Sequence, residues 1–564
     1  MTHAPAPEAA ATRPIALLCI GAILLTQIPW MSATNFTGFD EWLVVDLVSK
    51  GIIDVPHGNR PVHLLWLLPA GILPFSLTPY VVLHGVYSFL SGALVFFLCR
   101  RLLPGRPLLW LLTAVLSVLW GPGDLARLST IERVGYTAFE FGTLAAIFLF
   151  VESWQLKDVS LLAFGSLMAF LVARSYEAVV PLLICVPVIV LLRCRRIGEP
   201  RGRMFTWLLV WEGVLFLALV LILLPQFVPT GLMAYQLQVL RLDLAPSRVA
   251  LRLGRQFLYH LGPVVLSSPL ELATAAVPIA TLVFAIAYLV WAAVGGRERE
   301  EDSLRSERLF HLRSMFAGLT WAGLAYGVLT LTPSQPSALR MQILSAPGIA
   351  FFLASLAFLL STLVAVPWRR VVVGLLVAWI VAVGTGRTVA MQKTWDRLSA
   401  YPAQIRMLRD LTERVPDVKP GTLIVLLDEG EAWRATYGFR HAMAYLYEGH
   451  AIGYIPGAWD ALYPAVFTTE GIRVEPWPAL RKPWGIRATL TRYSEMIVVR
   501  GAADGHVGVL DQWPAELPPL PSGARYDPDS RIVAIPSPLP ERAILGLVSS
   551  APPRGSPASA STSP

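Results

Sequence analysis

The hydrophobic pattern changes character once along the chain. From Ile15 to Val383 apolar residues fall into long blocks with short polar breaks, and from Gly386 onward the chain turns polar and proline-rich. A block crosses a bilayer core when it offers roughly 20 mostly apolar residues. Helices are accordingly expected near 15–33, 79–99, 107–120, 135–151, 159–173, 177–193, 205–225, 272–294, 315–331, 341–363 and 371–385, about eleven transmembrane helices in all. Residues 61–75 are apolar but short and bounded by Pro61, Pro69 and Pro74, as in a re-entrant or surface-lying helix. Beyond the blocks, Trp395 to Val415 has helical spacing and is closed by Pro416. Thr422 to Leu427 is a continuous aliphatic and β-branched run, Ala432 to Tyr447 is helix-like, and Ile497–Val499 with Val507–Leu510 flank Gly501–Gly505 as a hairpin.

The fold class is therefore a polytopic α-helical membrane protein with a C-terminal extracytoplasmic α/β domain. Its parts are a cytoplasmic tail at 1–14, a transmembrane domain at 15–386 with an outer loop at 34–78, an α/β domain at 387–548, and a Ser-, Pro- and Ala-rich tail at 549–564 expected to be disordered. The first 33 residues resemble a secretory signal, with Arg13 before an apolar run and Met31-Ser32-Ala33 after it. A polytopic chain makes an uncleaved first helix the better reading.

Composition agrees: 55% of residues are hydrophobic and 15% charged, against about 25% charged in a soluble domain. The net charge of +8 is distributed in a way that excludes a nucleic-acid partner. Arginines cluster between blocks, at 100, 101 and 106; at 193, 195, 196, 201 and 203; at 297, 299, 305, 308 and 313; and at 369 and 370. Under the positive-inside rule these mark the cytoplasmic face, which puts the N-terminus inside and the polar domain outside. Cys19, Cys99, Cys185 and Cys194 all lie in or beside apolar blocks, so the polar domain has no disulfide framework and the chain has no zinc spacing.

Polar groups in this threading gather on the outer side. The first outer loop reads Thr37-Gly38-Phe39-Asp40-Glu41-Trp42, continues through an apolar-rich stretch to Lys50, and then carries Asp54, His57, Arg60 and His63. An acid pair followed by a surface helix places a carboxylate at headgroup level. The plainer alternative is that Asp40 caps a helix starting at Glu41, both acids favouring the positive end of its dipole. Arg174 and Glu177 pair as helix neighbours, and Glu140 and Glu212 fall inside blocks without an assignable role. Trp433, Tyr437, Tyr445, Tyr447, Tyr454 and Trp459 suit sugar stacking, but core packing is the commoner use.

This arrangement resembles the GT-C superfamily of polyprenyl-phosphate-dependent glycosyltransferases, which includes protein O-mannosyltransferases and the aminoarabinose transferases of lipid A. Phe39-Asp40-Glu41 matches the acidic element of the family's first outer loop. Arg60-Pro61-Val62-His63-Leu64-Leu65 matches its His-Pro-Pro-Leu type motif loosely, lacking the second proline and displacing the histidine. The resemblance covers most of residues 15–385. It implies an inverting transfer of sugar from a polyprenyl-phosphate donor to a glycan, lipid or protein acceptor outside a bacterial cytoplasmic membrane, with Asp40 as base. Some members instead use the acid to hold a divalent metal such as Mg or Mn, for which Asp40 and Glu41 are the candidates. The donor phosphate needs cations on the same side, and the planar arginine fork suits it. Arg340 sits where family members keep an arginine toward the lipid phosphate. Arg60 lies beside the acidic loop, and Arg252 and Arg255 share a helix face with Arg248. Arg340 as an interfacial anchor, and the helix face as a binder of anionic headgroups, are the alternatives. His57, Asp124 and Glu132 are acceptor-side candidates. Two other readings remain, a ligase or polymerase using a diphosphate-linked glycan, and a lipid-linked sugar flippase.

Overall fold

The computed structural model describes residues 8–31, 40–52, 71–73, 75–122, 132–194, 201–227, 243–294, 303–331, 342–398, 401–433, 435–460, 462–477, 486–534 and 539–547. Six of its helices are long and apolar enough to cross a membrane: Thr78–Leu102, Val134–Leu156, Gly202–Ile222, Ala276–Val294, Gln342–Ser361 and Val366–Trp395. The chain therefore builds a helical, multi-pass membrane protein. Other expected blocks form shorter apolar helices, Arg13–Pro29, Pro107–Leu119, Val159–Ser175 and Glu177–Leu191. At 1.5 Å per residue, Pro107–Leu119 reaches only about 20 Å, well short of a ~30 Å hydrocarbon core. Leu304–Thr330 is long enough but opens on Arg305, Glu307, Arg308 and Arg313.

In chain order the helices of this part are α1 (Glu8–Met31), α2 (Asp40–Ser49), α3 (Thr78–Leu102), α4 (Pro107–Leu119), α5 (Glu132–Leu156), α6 (Val159–Ser175), α7 (Val180–Cys194), α8 (Arg201–Phe227), α9 (Pro246–Leu261), α10 (Ala276–Val294), α11 (Leu304–Thr330), α12 (Gln342–Ser361) and α13 (Arg369–Leu398). One end of the bundle collects arginines. Arg101 meets Glu152 at 2.5 Å, Arg369 meets Glu307 at 3.1 Å, and Arg308 donates to the Thr362 hydroxyl at 3.0 Å. Arg106 lies over the Phe310 ring and Arg203 over Trp154. At the opposite end Gln27 donates to Thr385, Arg387 pairs with Glu271, and Arg174 donates to the Leu221 carbonyl. α4 is buried at every position but Trp110, which makes it the axis of the bundle.

α13 does not stop where the apolar run breaks at Gly384-Thr385-Gly386; it continues for 30 residues to Leu398. Gly386 serves close packing, because a Cβ there would lie 2.6 Å from the Glu271 carbonyl oxygen. The expected second helix then starts at Tyr401 as α14 (Tyr401–Arg414). Among the strands, β1 (Asp417–Val418) pairs with β9 (Ile532–Val533). The buried run forms β2 (Thr422–Asp428), parallel to both β3 (Ala451–Tyr454) and β7 (Met496–Gly501), while β8 (Val507–Val509) returns antiparallel to β7 as the expected hairpin. α15 (Thr436–Leu446) links β2 to β3. A second, antiparallel sheet holds β4 (Ala465–Phe467), β5 (Gly471–Val474) and β6 (Thr489–Arg492).

The expectation that the acidic loop leads into a surface helix is overturned. Every residue of α2 from Glu41 to Val48 is buried. Trp42, Val44, Val45 and Val48 join a core shared with Leu77 and Tyr80 of α3, Val134 of α5 and the α/β domain, while Leu43 and Leu47 enter the domain's second core. The cause is visible in Trp42-Leu43-Val44-Val45-Asp46-Leu47-Val48, which has no polar face to offer water; a helix apolar all round is a buried helix.

Candidate functional site

Away from the arginines, the ends of four helices line a small, partly open polar pocket of about 20 Å³, formed by His84, Ser88, Ser117, Val118, Gly121, Thr137, Glu140, Gln342, Ile343 and Ala346. α3 contributes His84 and Ser88, one turn apart. α4 ends at the cavity with Ser117, α5 brings Thr137 and Glu140 at i and i+3, and α12 begins there with Gln342. His84 Nδ1 lies 3.4 Å from Thr137 Oγ1. Glu140, an acid 8% exposed, is costly at that depth in an apolar bundle, and such residues mark functional positions more often than structural ones. α12 begins at the space with Gln342, which brings the positive end of its helix dipole there.

A second polar layer lies beside the first. His260 of α9 is fully buried, with Nδ1 2.5 Å from the Tyr326 hydroxyl and 3.2 Å from Ser345 Oγ. The indole of Trp120 donates to the His260 carbonyl at 3.0 Å. α9 is thereby stitched across the bundle end, and the residue after Trp120 is Gly121 of the cavity wall.

The helix that carries the acid pair is fixed by a buried relay. Asp46, one and a half turns past Asp40, holds His441 of α15, with His441 Nδ1 2.7 Å from Asp46 Oδ2. His441 Nε2 in turn lies 2.7 Å from the Tyr463 hydroxyl. Both side chains of the first pair are 3% exposed or less. Burial acts to raise the Asp46 pKa, but the bond and charge of His441 and the ammonium of Lys50 outweigh it, and the carboxyl is held below its ordinary range. Burial pushes the His441 pKa below that of free imidazole despite Asp46. Neutral His441 therefore donates Nδ1–H to the carboxylate and accepts the Tyr463 O–H at Nε2. Arg440 covers the Tyr463 ring at 4.6 Å.

Of the residues singled out from sequence, His57, Arg60, Asp124 and Arg340 lie outside the described residues. Asp40 opens α2 and Glu132 opens α5, and their side chains are likewise outside the described set. Glu41 is fully buried. Arg252 is committed to the fold, pairing with Asp243 and donating to the Thr330 carbonyl. Arg248 shares the same Asp243, whereas Arg255 is exposed. Trp433, Tyr437, Tyr445, Tyr447 and Tyr454 are core residues, and Trp459 alone of that group is exposed. Glu41 is buried, and among the described residues, which leave out the Asp40 side chain, no group of three or more His, Cys, Asp or Glu could hold an ion.

Fold and cavity together define a multi-pass helical membrane protein with an α/β domain docked on one end of its bundle. No family model matches the chain, and no curated protein matches it.

Proposed function

We propose that the protein is a GT-C-type glycosyltransferase of the bacterial cytoplasmic membrane, moving a sugar from a polyprenyl-phosphate donor to an acceptor outside the cell. In this reading all the expected blocks span, short ones included, the arginine end faces the cytoplasm, and the α/β domain lies outside. The observation that carries it is the small polar pocket with His84, Glu140 and Gln342 at the end of the bundle opposite the arginines. Two helices begin there: α5 follows the second outer loop, and α12 starts two residues after Arg340.

The lipid tail would lie between helices, with the phosphate near the N-terminus of α12 and Arg340. The acceptor oxygen attacks the anomeric carbon, the bond from that carbon to the phosphate oxygen breaks, polyprenyl phosphate leaves, and the acceptor proton passes to the Asp40 carboxylate. Glu140 supplies a second carboxylate at the cavity wall. The position of Glu140 and His84 within two or three turns of one end, rather than at the bilayer midplane, favours transfer over a flippase. Deleting the gene should make a polyprenyl-phosphate sugar accumulate, measured by mass spectrometry of extracted lipids. An Asp40→Asn protein that inserts normally should fail to clear it; restored surface glycan with Asp40→Asn would end the assignment.

A further inference from the structure

A second cleft of about 540 Å³, partly open to solvent, lies between α2, the start of α3 and the α/β domain. Its apolar surface comes from Val45, Val48, Leu73, Phe75, Leu77 and Ile544, and charges of both signs line it. Lys50 belongs to α2's end; Glu448 and Glu541 belong to the α/β domain. Lys50 Nζ is 2.7 Å from Asp46, yet its side chain is 43% exposed, and an ammonium with three donors has capacity for a second anion. Glu541 and Glu448 both line the cleft, two acids near enough to act on each other, and burial first and the charge of Glu448 second raise the Glu541 pKa. Leu77 and Tyr80 sit at the start of a helix long and apolar enough to cross a membrane, which puts the cleft at the depth of lipid headgroups. Ile72 and Leu73 beside it are exposed.

We infer that this cleft holds a membrane phospholipid whose headgroup joins a primary ammonium to a phosphate. The ammonium lies between Glu448 and Glu541, the phosphate at Lys50, and the acyl chains along Val45, Val48, Leu73 and Phe75. A primary ammonium brings three N–H donors to two carboxylates and forms charge-assisted hydrogen bonds with them. A trimethylammonium brings none, and an uncharged headgroup leaves the carboxyl pair as it is. The occupant is a bilayer lipid rather than a soluble zwitterion because the apolar wall is continuous with the entry of α3 into the membrane. The site is distinct from the polar cavity and shares no residue with it.

The test uses the full chain in detergent with phosphatidylethanolamine, phosphatidylcholine and phosphatidylglycerol of matched acyl chains in competition, and reads retained lipid by native mass spectrometry. The unmodified protein should retain phosphatidylethanolamine about tenfold over phosphatidylcholine, the scale set by one charge-assisted contact. The double change Glu448→Gln with Glu541→Gln should erase that preference while leaving phosphatidylglycerol retention unchanged. Lys50→Gln should lower phosphatidylethanolamine and phosphatidylglycerol alike. Equal retention of the first two lipids by the unmodified protein, or a preference that survives the double change, overturns the proposal. Soluble glycerophosphoethanolamine competing as well as the lipid would overturn the assignment to a membrane source.

Discussion

His441 is the residue on which the junction between loop and domain turns. Its imidazole is neutral because burial disfavours the cation more than Asp46 favours it. Free imidazole titrates near pH ~6.5, so below that value the unfolded chain binds a proton there that the fold refuses. Stability is then complete above about pH 6.5 and falls as the pH drops beneath it. Asp46, whose pKa is depressed, contributes stability that is present above about pH 3.9 and lost only as pH falls through its lower folded value. Histidine therefore governs the range from neutrality to mild acid. Thermal unfolding of the purified protein should show Tm falling between pH 7.5 and 5, and His441→Gln, which keeps a donor and an acceptor, should flatten that slope. Little of this was legible beforehand. A single acid inside Leu43-Val44-Val45-Asp46-Leu47-Val48 is a visible oddity, but its partner lies 395 residues away. Glu140 stood out as an acid within an apolar block, whereas His84, its neighbour across the cavity, looked like an ordinary member of one. The arginine face at 248, 252 and 255 was legible as a face, but Asp243, which claims Arg252, was not.

Among the elements, α11 and α12 make the tightest crossing through two glycines. A Cβ on Gly318 would lie 2.5 Å from the Gly348 carbonyl oxygen, and one on Gly348 would lie 2.6 Å from that of Gly318. Neither backbone can give way without separating the helices, the usual logic of small residues in membrane packing. Gly348→Leu should therefore destabilise by about 1–3 kcal/mol or more, as overpacking does. Gly213→Leu, at an open position on α8, should leave the melting temperature in detergent unchanged. Both helices were evident from their apolar runs, since length and composition suffice for that. Their contact was not, because glycine inside an apolar run reads equally as a packing residue or a weak point. α2 shows the same gap more sharply: its helix was expected, but burial on every side depends on a domain that follows it by hundreds of residues.

Across the whole molecule, the segregation of charge is the feature the sequence displayed most openly. Arg101, Arg106, Arg203, Arg308 and Arg369 converge on one end and there find acids, hydroxyls and aromatic rings. The proposed orientation makes a simple prediction with single cysteines in a background lacking the native ones. Exposed Ser303, at the arginine end, should label from an impermeant thiol reagent only after cells are opened, and exposed Ser268, at the other, should label on intact cells. Reversed labelling would turn the molecule over and remove the cavity from the outer face. The α/β domain was also legible, because β2 is an unbroken apolar run flanked by helical spacing. How it docks was not.

The pairing of Asp46 with His441 also sets an order of events during synthesis. At about 5–20 residues per second, the 395 positions between them take roughly 20–80 s to make. For that interval α2 has been translated without the α/β domain that covers it, and the Asp46 carboxylate has no imidazole. The α/β domain completes a loop made hundreds of residues before it, so a newly made chain passes through a stage in which its bundle can insert while α2 still waits for its cover.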